Sequence, residues 1–401
     1  MNRPTSPLIL AGVVLVALNL RPTAASVGAT LPEVVHGLQM SHTQAALLAA
    51  LPALAFAFFA ATGPAMARTF GVHRATLLSL FAIAIGTFAR ALADNAWVFL
   101  GLSVIALGGM AAASVLVPTL VTLHFPERLG TLAAPYSRLM AIGLAAAAFF
   151  TPPIAHSDGG WRIGIGFWGA LAVIAAIPWG RLIRHDMVLT PLPRTITLVQ
   201  MIRTRSCQKL AALFALQLLQ IWAAIMWFPT LWRDHGYHAT TAGILLGALA
   251  LCGLPFTLTW PAVVSSRRDP RRLLLLVGLC YPLGDLLVLL APRAGAVPAL
   301  ILLGIGAIGF PMALTLVGRH ARSRDVALSL AGVAQTVGYL VAGIGIFGFG
   351  LLHLHLGSWG WPMALLLICA LPIPVLAARS AIPASNEAPL GAPTSAQHSG
   401  G

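Results

Sequence analysis

Long apolar stretches separated by short polar loops run along most of the chain. A bilayer core of about 30 Å needs about 20 apolar residues in a helix, and these stretches reach that length. Cutting the sequence at loops rich in Arg, Pro, Gly and His predicts twelve membrane-spanning helices, numbered here as spans 1 to 12. In chain order, the predicted spans are residues 8–33, 43–66, 75–93, 96–122, 131–155, 162–183, 207–231, 241–264, 273–291, 297–317, 326–354 and 359–379. The predicted fold class is therefore an all-α membrane protein.

The composition supports lipid as the solvent for these stretches. Of the 401 residues, 58% are hydrophobic and 8% are charged, whereas about a quarter of the residues of a soluble domain are charged. The net charge of +14 is also typical of nucleic-acid-binding proteins. Here, however, the basic residues fall in short loops between apolar runs, so we expect the lipid bilayer, and no nucleic acid, as a partner.

The basic residues also predict the orientation of the chain in the membrane. Eighteen of the 24 Lys and Arg side chains lie on one side of the predicted spans and four lie on the other. Because positive loops stay in the cytoplasm and the number of spans is even, both termini are expected there. Arg21 and Arg138 fall inside the predicted spans and take no part in this count.

Similar residues recur in the two halves of the chain at a nearly constant separation of 197 or 198 positions. The matching pairs are Pro32 with Pro229, Pro64 with Pro261, Arg138 with Gln335, and Trp161 with Trp359. Such a parallel repeat of six spans is typical of transporters whose binding site lies at the midplane between the halves. The predicted domains are an N-terminal six-helix bundle over 1–183, a cytoplasmic linker over 184–206, a C-terminal six-helix bundle over 207–379 and a disordered cytoplasmic tail over 380–401.

The loop between spans 2 and 3 resembles a motif of the major facilitator superfamily. Residues 63–74 read Gly-Pro-Ala-Met-Ala-Arg-Thr-Phe-Gly-Val-His-Arg, and the superfamily pattern is G-x-L-A-D-R-x-G-R-R. Glycine permits the tight turn of this loop, and the arginines interact with the cytoplasmic helix ends. Ala67 stands where the superfamily has Asp. The resemblance implies a fold of two pseudo-symmetric six-helix halves (the MFS fold).

Within the superfamily, the sequence resembles the cyanate permease family, which includes nitroimidazole transporters. The matching stretches are Asn-Leu-Arg-Pro at 19–22, Gln217 with Trp227, Pro229 and Thr230, Phe-Pro-Met-Ala-Leu-Thr-Leu at 310–316, and 328–343. The resemblance covers nearly the whole chain and implies a small-molecule substrate and a multi-pass protein of the bacterial inner membrane. Ile346 replaces a proline that the family has after Gly345, so the resemblance does not determine which substrate is transported.

Arg21 and Arg138 place fixed positive charge inside the predicted spans. At 1.5 Å per residue, Arg21 lies roughly 20 Å into span 1 and Arg138 roughly 10 Å into span 5. An arginine keeps its proton in a protein, and holding it in hydrocarbon costs several kcal/mol at least. Of the ten acidic residues, only Asp285 lies well inside, on the peripheral span 9. Water, backbone oxygens or an anionic ligand must therefore solvate the two arginines.

Each arginine has two interpretations. Arg21 contacts an anionic substrate, or it binds a carbonyl group freed where Pro22 disrupts the helix. Arg138 also contacts the substrate, or it acts as a gate or extends towards the cytoplasmic interface. The planar guanidinium offers five donors, which suits small planar or linear anions such as carboxylate, nitrate or cyanate.

Neutral polar and aromatic side chains at comparable depth are further candidates for the binding site. Gln217 lies on span 7, and Gln335 and Tyr339 share one face of span 11 because they are four residues apart. Facing a cavity, these groups would hydrogen-bond a substrate, and facing another helix they would only hold the bundle together. Trp222 would form a wall of the pocket or serve as an interfacial anchor.

The predicted function is secondary active transport of a small anion by alternating access around Arg21, Gln217, Gln335 and Tyr339. The alternative is export of a small neutral or weakly acidic compound such as a nitroimidazole. The sequence contains no nucleotide-binding loop, metal-ligand spacing or intramembrane catalytic pair, so we expect no cofactor, no metal and no enzymatic activity. We also expect a monomer.

The mode of coupling stays open at this point. An empty cavity with uncompensated arginines should reorient less readily than a loaded one, which favours anion exchange. Proton symport usually needs a titratable group near the transport path, and only Glu33 and Asp285 come near it.

Overall fold

A computed structural model of the chain describes residues 6–125, 129–157, 159–186, 188, 201–321 and 323–381. Within these ranges, twelve helical segments are long and apolar enough to cross a membrane, and they confirm the twelve predicted spans. Their bounds are Pro7–Ala29, His42–Phe59, Val72–Ala91, Ala96–His124, Tyr136–Ala155, Gly160–Leu182, Arg205–Asp234, Ala239–Phe256, Arg271–Leu290, Ala296–Val317, Asp325–Leu356 and Gly360–Arg379.

Several spans consist of two shorter helices. The α-helices are Ser6–Asn19, Pro22–Ala29, Leu31–Gly37, His42–Phe59, Thr62–Phe70, Val72–Ala91, Ala96–His124, Leu129–Ala155, Gly160–Leu182, Arg205–Asp234, Ala239–Cys252, Leu254–Ser266, Arg271–Leu290, Ala296–Gly306, Gly309–Val317, Arg324–Leu356, Gly360–Ala370 and Ile373–Arg379, and Ile183–His185 is a 3₁₀ turn. In span 1 the second helix starts at Pro22. Proline fits the first turn of a helix because it has no N–H to donate there, so the chain breaks at Leu20 and Arg21.

The spans form two halves that meet through a limited set of helices. Spans 1, 2 and 5 of the first half pack against spans 7, 8 and 11 of the second half. Spans 3 and 6 pack mainly within the first half, and spans 9 and 12 pack mainly within the second half. Spans 1, 2, 5, 7, 8 and 11 therefore form the interface at which the binding site is expected.

The contacts between the halves are close at the end of the molecule that lies opposite Pro7 and Arg379. Gly28 of span 1 approaches span 7 so closely that a Cβ there would clash with the carbonyl oxygen of Ile225. At the same end, the guanidinium of Arg233, near the end of span 7, pairs with both carboxylate oxygens of Glu33, which follows span 1, at 2.8 and 2.9 Å. The ion pair and the glycine contact hold the two halves together at this end.

The loop between spans 2 and 3 has the turn that its glycines predict. Gly71 has a φ of 96°, in the region that favours glycine, and it separates the helix ending at Phe70 from span 3. The carboxylate of Asp186, which follows span 6, accepts hydrogen bonds from the backbone N–H groups of His73 and Arg74, at 2.9 and 3.0 Å. Asp186 thus joins the end of span 6 to the start of span 3.

Two of the predicted regions lie partly or almost entirely outside the described residues. They are the linker over 184–206, of which residues 187 and 189–200 are not described, and the tail over 380–401, of which residues 382–401 are not described. The domain boundaries stay predictions.

Candidate functional site

Arg21 stands at the break in span 1, with its side chain half-buried inside the helix bundle. Its backbone carbonyl accepts hydrogen bonds from the N–H groups of Ala24 and Ala25 and so starts the second helix of the span. Its Nη1 atom is buried and has no hydrogen-bond partner. The guanidinium therefore retains an unused donor in the interior of the molecule.

Aromatic side chains from both halves surround this guanidinium. The Cζ atom of Arg21 lies 5.2 Å from the centre of the Trp222 ring, within the range of a cation–π contact. Tyr339 of span 11 stacks on Phe56 of span 2, with ring centres 4.7 Å apart and planes 12° apart, and Phe56 lies 6.1 Å from Trp222. Tyr136 of span 5 and Tyr339 both lie within electrostatic range of the Arg21 charge.

No carboxylate neutralises this positive charge within the part of the chain that the structure describes. Glu33, Asp94, Asp186 and Asp269 pair with other basic side chains in or near the loops. Asp234 accepts a hydrogen bond from the indole N–H of Trp359, at 2.9 Å. The Arg21 side chain has no hydrogen bond to a backbone carbonyl among these residues, so the alternative role that Pro22 suggested has no support in the contacts.

The other sequence candidates lie further from this cluster or without a contact to it. Gln217 is buried with its Oε1 unpartnered, and its amide nitrogen lies against Gly309 of span 10. Gln335 is half-buried on span 11, one turn before Tyr339, and Arg138 is exposed near the start of span 5. The structure therefore brings together Arg21, Trp222 and Tyr339, and it shows no hydrogen bond or ion pair from Gln217, Gln335 or Arg138 to them.

Sequence reasoning missed two members of the cluster, Phe56 and Tyr136. Phe56 is one of 17 phenylalanines, and nothing in its apolar neighbourhood distinguishes it from a lipid-facing residue. Tyr136 carried a signal, because the chain has only 4 tyrosines and a phenol inside an apolar span needs a polar environment.

Arg90, which was counted with the four basic residues on the outer side of the predicted spans, has a side chain that turns into the helix bundle. Its side chain is completely buried, and its Nη2 donates a hydrogen bond of 2.7 Å to the backbone carbonyl of Thr23. Arg90 is the second-last residue of span 3, so the sequence alone could not distinguish a side chain that reaches water from one that turns inward.

The cluster can bind a small solute that accepts hydrogen bonds. Arg21 supplies a fixed charge and at least one free N–H donor, and Trp222, Phe56 and Tyr339 supply flat apolar surfaces. A low-polarity environment strengthens the attraction between the guanidinium and an anion. Because its members come from both halves, the cluster changes when the halves move relative to each other.

Comparisons with known proteins agree with this architecture. The model of the Major Facilitator Superfamily matches residues 13–343. A 2-nitroimidazole transporter of Escherichia coli (strain K12) is 29% identical over 342 residues, covering 84% of this chain and 86% of that protein. The cyanate transport protein CynX of the same organism is 26% identical over 370 residues, covering 92% and 96%.

A solved structure shows the same fold. It is that of a bacterial homolog to the human lysosomal transporter Spinster in an inward-facing and unoccupied conformation. The TM-score is 0.76 at 15% identity, and the match covers 95% of this chain and 98% of that one. The chain is thus a membrane transporter rather than an enzyme, and it belongs to the Major Facilitator Superfamily.

Proposed function

We propose that this transporter carries a small anion, such as cyanate, nitrate or a small carboxylate, and binds it at Arg21. The observation that carries the proposal is the buried Nη1 of Arg21, which has no partner and no carboxylate nearby among the described residues. A charged side chain in a membrane interior costs several kcal/mol, and an anion offsets part of that cost. The planar guanidinium presents paired N–H groups that match the oxygens of such anions.

Alternating access follows from the placement of the cluster between the halves. Spans 1, 2 and 5 contribute Arg21, Phe56 and Tyr136, and spans 7 and 11 contribute Trp222 and Tyr339. A relative rotation of the halves would open the cluster to one side of the membrane at a time. We place the protein in the bacterial inner membrane as a monomer. The distribution of basic residues indicates that both termini lie in the cytoplasm.

A second candidate function is export of a neutral or weakly acidic nitroaromatic compound. The stacked rings of Phe56 and Tyr339 and the ring of Trp222 favour it, because they offer flat surfaces to a planar solute. The nitro oxygens would then accept hydrogen bonds from Arg21. A relative that is named as a 2-nitroimidazole transporter adds support.

A thermal-shift screen of the purified protein tests both candidates. The ligands are cyanate, nitrate, formate, acetate and 2-nitroimidazole, each compared on wild type and Arg21→Gln. The control is Arg268→Gln, which makes the same change at an exposed position. A bound ligand at about 100 times its Kd contributes about 2.7 kcal/mol to stability, which is enough to raise Tm measurably.

The two candidates predict different results. For the anion carrier, we expect one or more of the anions to stabilise wild type and Arg268→Gln but not Arg21→Gln. Stabilisation by 2-nitroimidazole alone would instead support the second candidate. An anion that stabilises Arg21→Gln as strongly as wild type would remove Arg21 from the site, and with it the proposal.

A further inference from the structure

Asp285 of span 9 is a buried acid that the anion site does not use. Its side chain is completely inaccessible, and both carboxylate oxygens lack a hydrogen-bond partner. No Arg, Lys or His of the described residues forms an ion pair with it. An ionised carboxylate in that environment would carry a large desolvation cost.

The neighbours of Asp285 are polar and also incompletely satisfied. Gln220 of span 7 lies beside its carboxyl group, and Tyr281 lies one turn earlier on the same helix. The amide nitrogen of Gln220 donates to the carbonyl of Leu366 in span 12, at 3.0 Å. The Oε1 of Gln220 has no hydrogen-bond partner. The hydroxyl of Tyr281 is buried and unpartnered as well.

Counting donors and acceptors shows what this cluster lacks. The amide of Gln220 has two N–H donors, of which Leu366 uses one, so the second N–H and the Tyr281 hydroxyl can donate to ionised Asp285 while the Oε1 of Gln220 is left without a donor. A proton on Asp285 adds the donor that the Oε1 lacks, so that one oxygen of the carboxyl group can donate to Gln220 while the other accepts from Tyr281. One proton therefore removes the charge and supplies the missing hydrogen bond.

The space around these atoms favours a proton over a metal ion. The two oxygens of Asp285, the Oε1 of Gln220 and the hydroxyl of Tyr281 are all inaccessible to a sphere the size of a water molecule. A sodium ion needs several oxygen ligands arranged around a void, whereas a proton needs none. Apart from Tyr281, the titratable group that faces Asp285 is the thiol of Cys369 in span 12.

We propose that Asp285, Gln220 and Tyr281 form a proton-binding site in the second half, and that this proton takes part in transport. Span 7 provides the connection, because Gln220 lies two residues before Trp222, which contacts Arg21. Gain or loss of the proton changes the hydrogen bond that Gln220 makes, and so acts on the helix that forms one wall of the anion cluster. The proton site itself does not depend on which solute the cluster binds.

Infrared difference spectroscopy of the purified protein tests the proton site without any substrate. Wild type at neutral pH is expected to show the C=O stretching band of a protonated carboxyl group that is absent from Asp285→Asn. Glu33→Gln, a matched change in an ion pair near the protein surface, should keep the band. Gln220→Leu should keep the band at a shifted frequency. This variant therefore tests the site even if Asp285→Asn does not fold.

Two spectroscopic results would overturn the proton site. One is the absence of a protonated carboxyl band from wild type, and the other is a band that Asp285→Asn retains unchanged. A band that Gln220→Leu leaves at the same frequency would remove Gln220 from the site.

Proteoliposomes that enclose a pH-sensitive dye test the coupling. The solutes are nitrate, cyanate and 2-nitroimidazole, with counterflow as the measure of transport without a gradient. With one proton per solute, an inward gradient of about one pH unit supports about tenfold accumulation. We expect Asp285→Asn to lose that accumulation and the dye signal while counterflow stays within about twofold of wild type. Equal proton movement in wild type and Asp285→Asn would overturn the coupling, as would net uptake of the solute by wild type with no dye signal.

Discussion

Among the described residues, the recorded neighbours of Arg21 are neutral. Trp222 lies under its guanidinium, and the phenols of Tyr136 and Tyr339 lie within range of its charge. No carboxylate in the described part of the chain forms an ion pair with Arg21. If the proposed function is right, the electrostatics at this position select a solute by the sign of its charge before they select it by shape.

Removing the hydroxyl of Tyr339 tests whether the phenol takes part in binding. Tyr339→Phe keeps the ring that stacks on Phe56, so the fold should be unchanged. We expect a three- to tenfold weaker Kd for the anion that stabilises wild type, because one hydrogen bond contributes about 0.5–1.5 kcal/mol. Isothermal titration calorimetry measures the change.

Tyr237→Phe is the matched control, since the hydroxyl of Tyr237 donates to the carbonyl of Arg293 in a loop. It should leave the affinity unchanged. If Tyr339→Phe binds the anion as tightly as wild type, the Tyr339 hydroxyl takes no part in binding.

Asp186 joins two helices of the first half at the cytoplasmic end that the topology predicts. It follows span 6, and its carboxylate accepts from two backbone N–H groups at the start of span 3. Because an acidic residue is favourable at the N-terminus of a helix, it also interacts well with the helix dipole. The start of span 3 is thus capped by a residue more than 100 positions away in the sequence.

Asp186→Ala should lower Tm by a few degrees. The two N–H groups lose their acceptor, and loss of such a cap costs about 1–2 kcal/mol. Asp186→Asn should recover part of the loss because an amide oxygen still accepts. Thermal unfolding in detergent measures both.

Asp269→Ala is the control, since Asp269 lies in the loop between spans 8 and 9 and is 60% exposed. Its effect on Tm should be smaller. An Asp186→Ala protein as stable as wild type would show that the cap contributes nothing.

The twelve spans could be predicted because the membrane makes length and hydropathy sufficient evidence. Each membrane-spanning segment must satisfy its own backbone hydrogen bonds, so an apolar run of the right length predicts a helix. Arg21 was equally visible, because a charge in an apolar run is conspicuous. Two of the residues around Arg21, Phe56 and Tyr136, were not predicted, since the direction in which each side chain faces depends on how the helices are arranged. For the same reason the sequence alone did not show that the side chain of Arg90, which lies near a span end, is buried.

At the scale of the whole molecule, the halves are joined most clearly at one end. Arg233 and Glu33 form a two-pronged ion pair there, with both side chains about a quarter exposed. His42 of span 2 and His355 of span 11 also meet across the halves, with ring centres 5.2 Å apart. Alternating access requires these contacts to break when this end opens.

Glu33→Gln should shift the population towards the state that is open at this end. The pair is partly exposed, so its loss amounts to about 1 kcal/mol, or about a fivefold shift. Spin labels at the exposed positions Gln39 and His238, in a protein without the native cysteines, report the distance between the halves.

We expect a longer distance to gain population in Glu33→Gln. The double exchange Glu33→Arg with Arg233→Glu should restore the wild-type distribution. An unchanged distribution in Glu33→Gln would mean that the ion pair does not hold this end closed.

The aromatic cluster around Arg21 has a consequence for stoichiometry. All five of its side chains belong to a single polypeptide, so one copy of the chain supplies every residue named for the proposed binding of a solute. Titration of the protein with its solute to saturation should therefore give one bound solute molecule per chain. The same number is expected in small detergent micelles and in membranes with a high protein density. Self-association would then change how long the transporter persists in the membrane or where it lies there. It would not change the number of solute molecules that each chain binds.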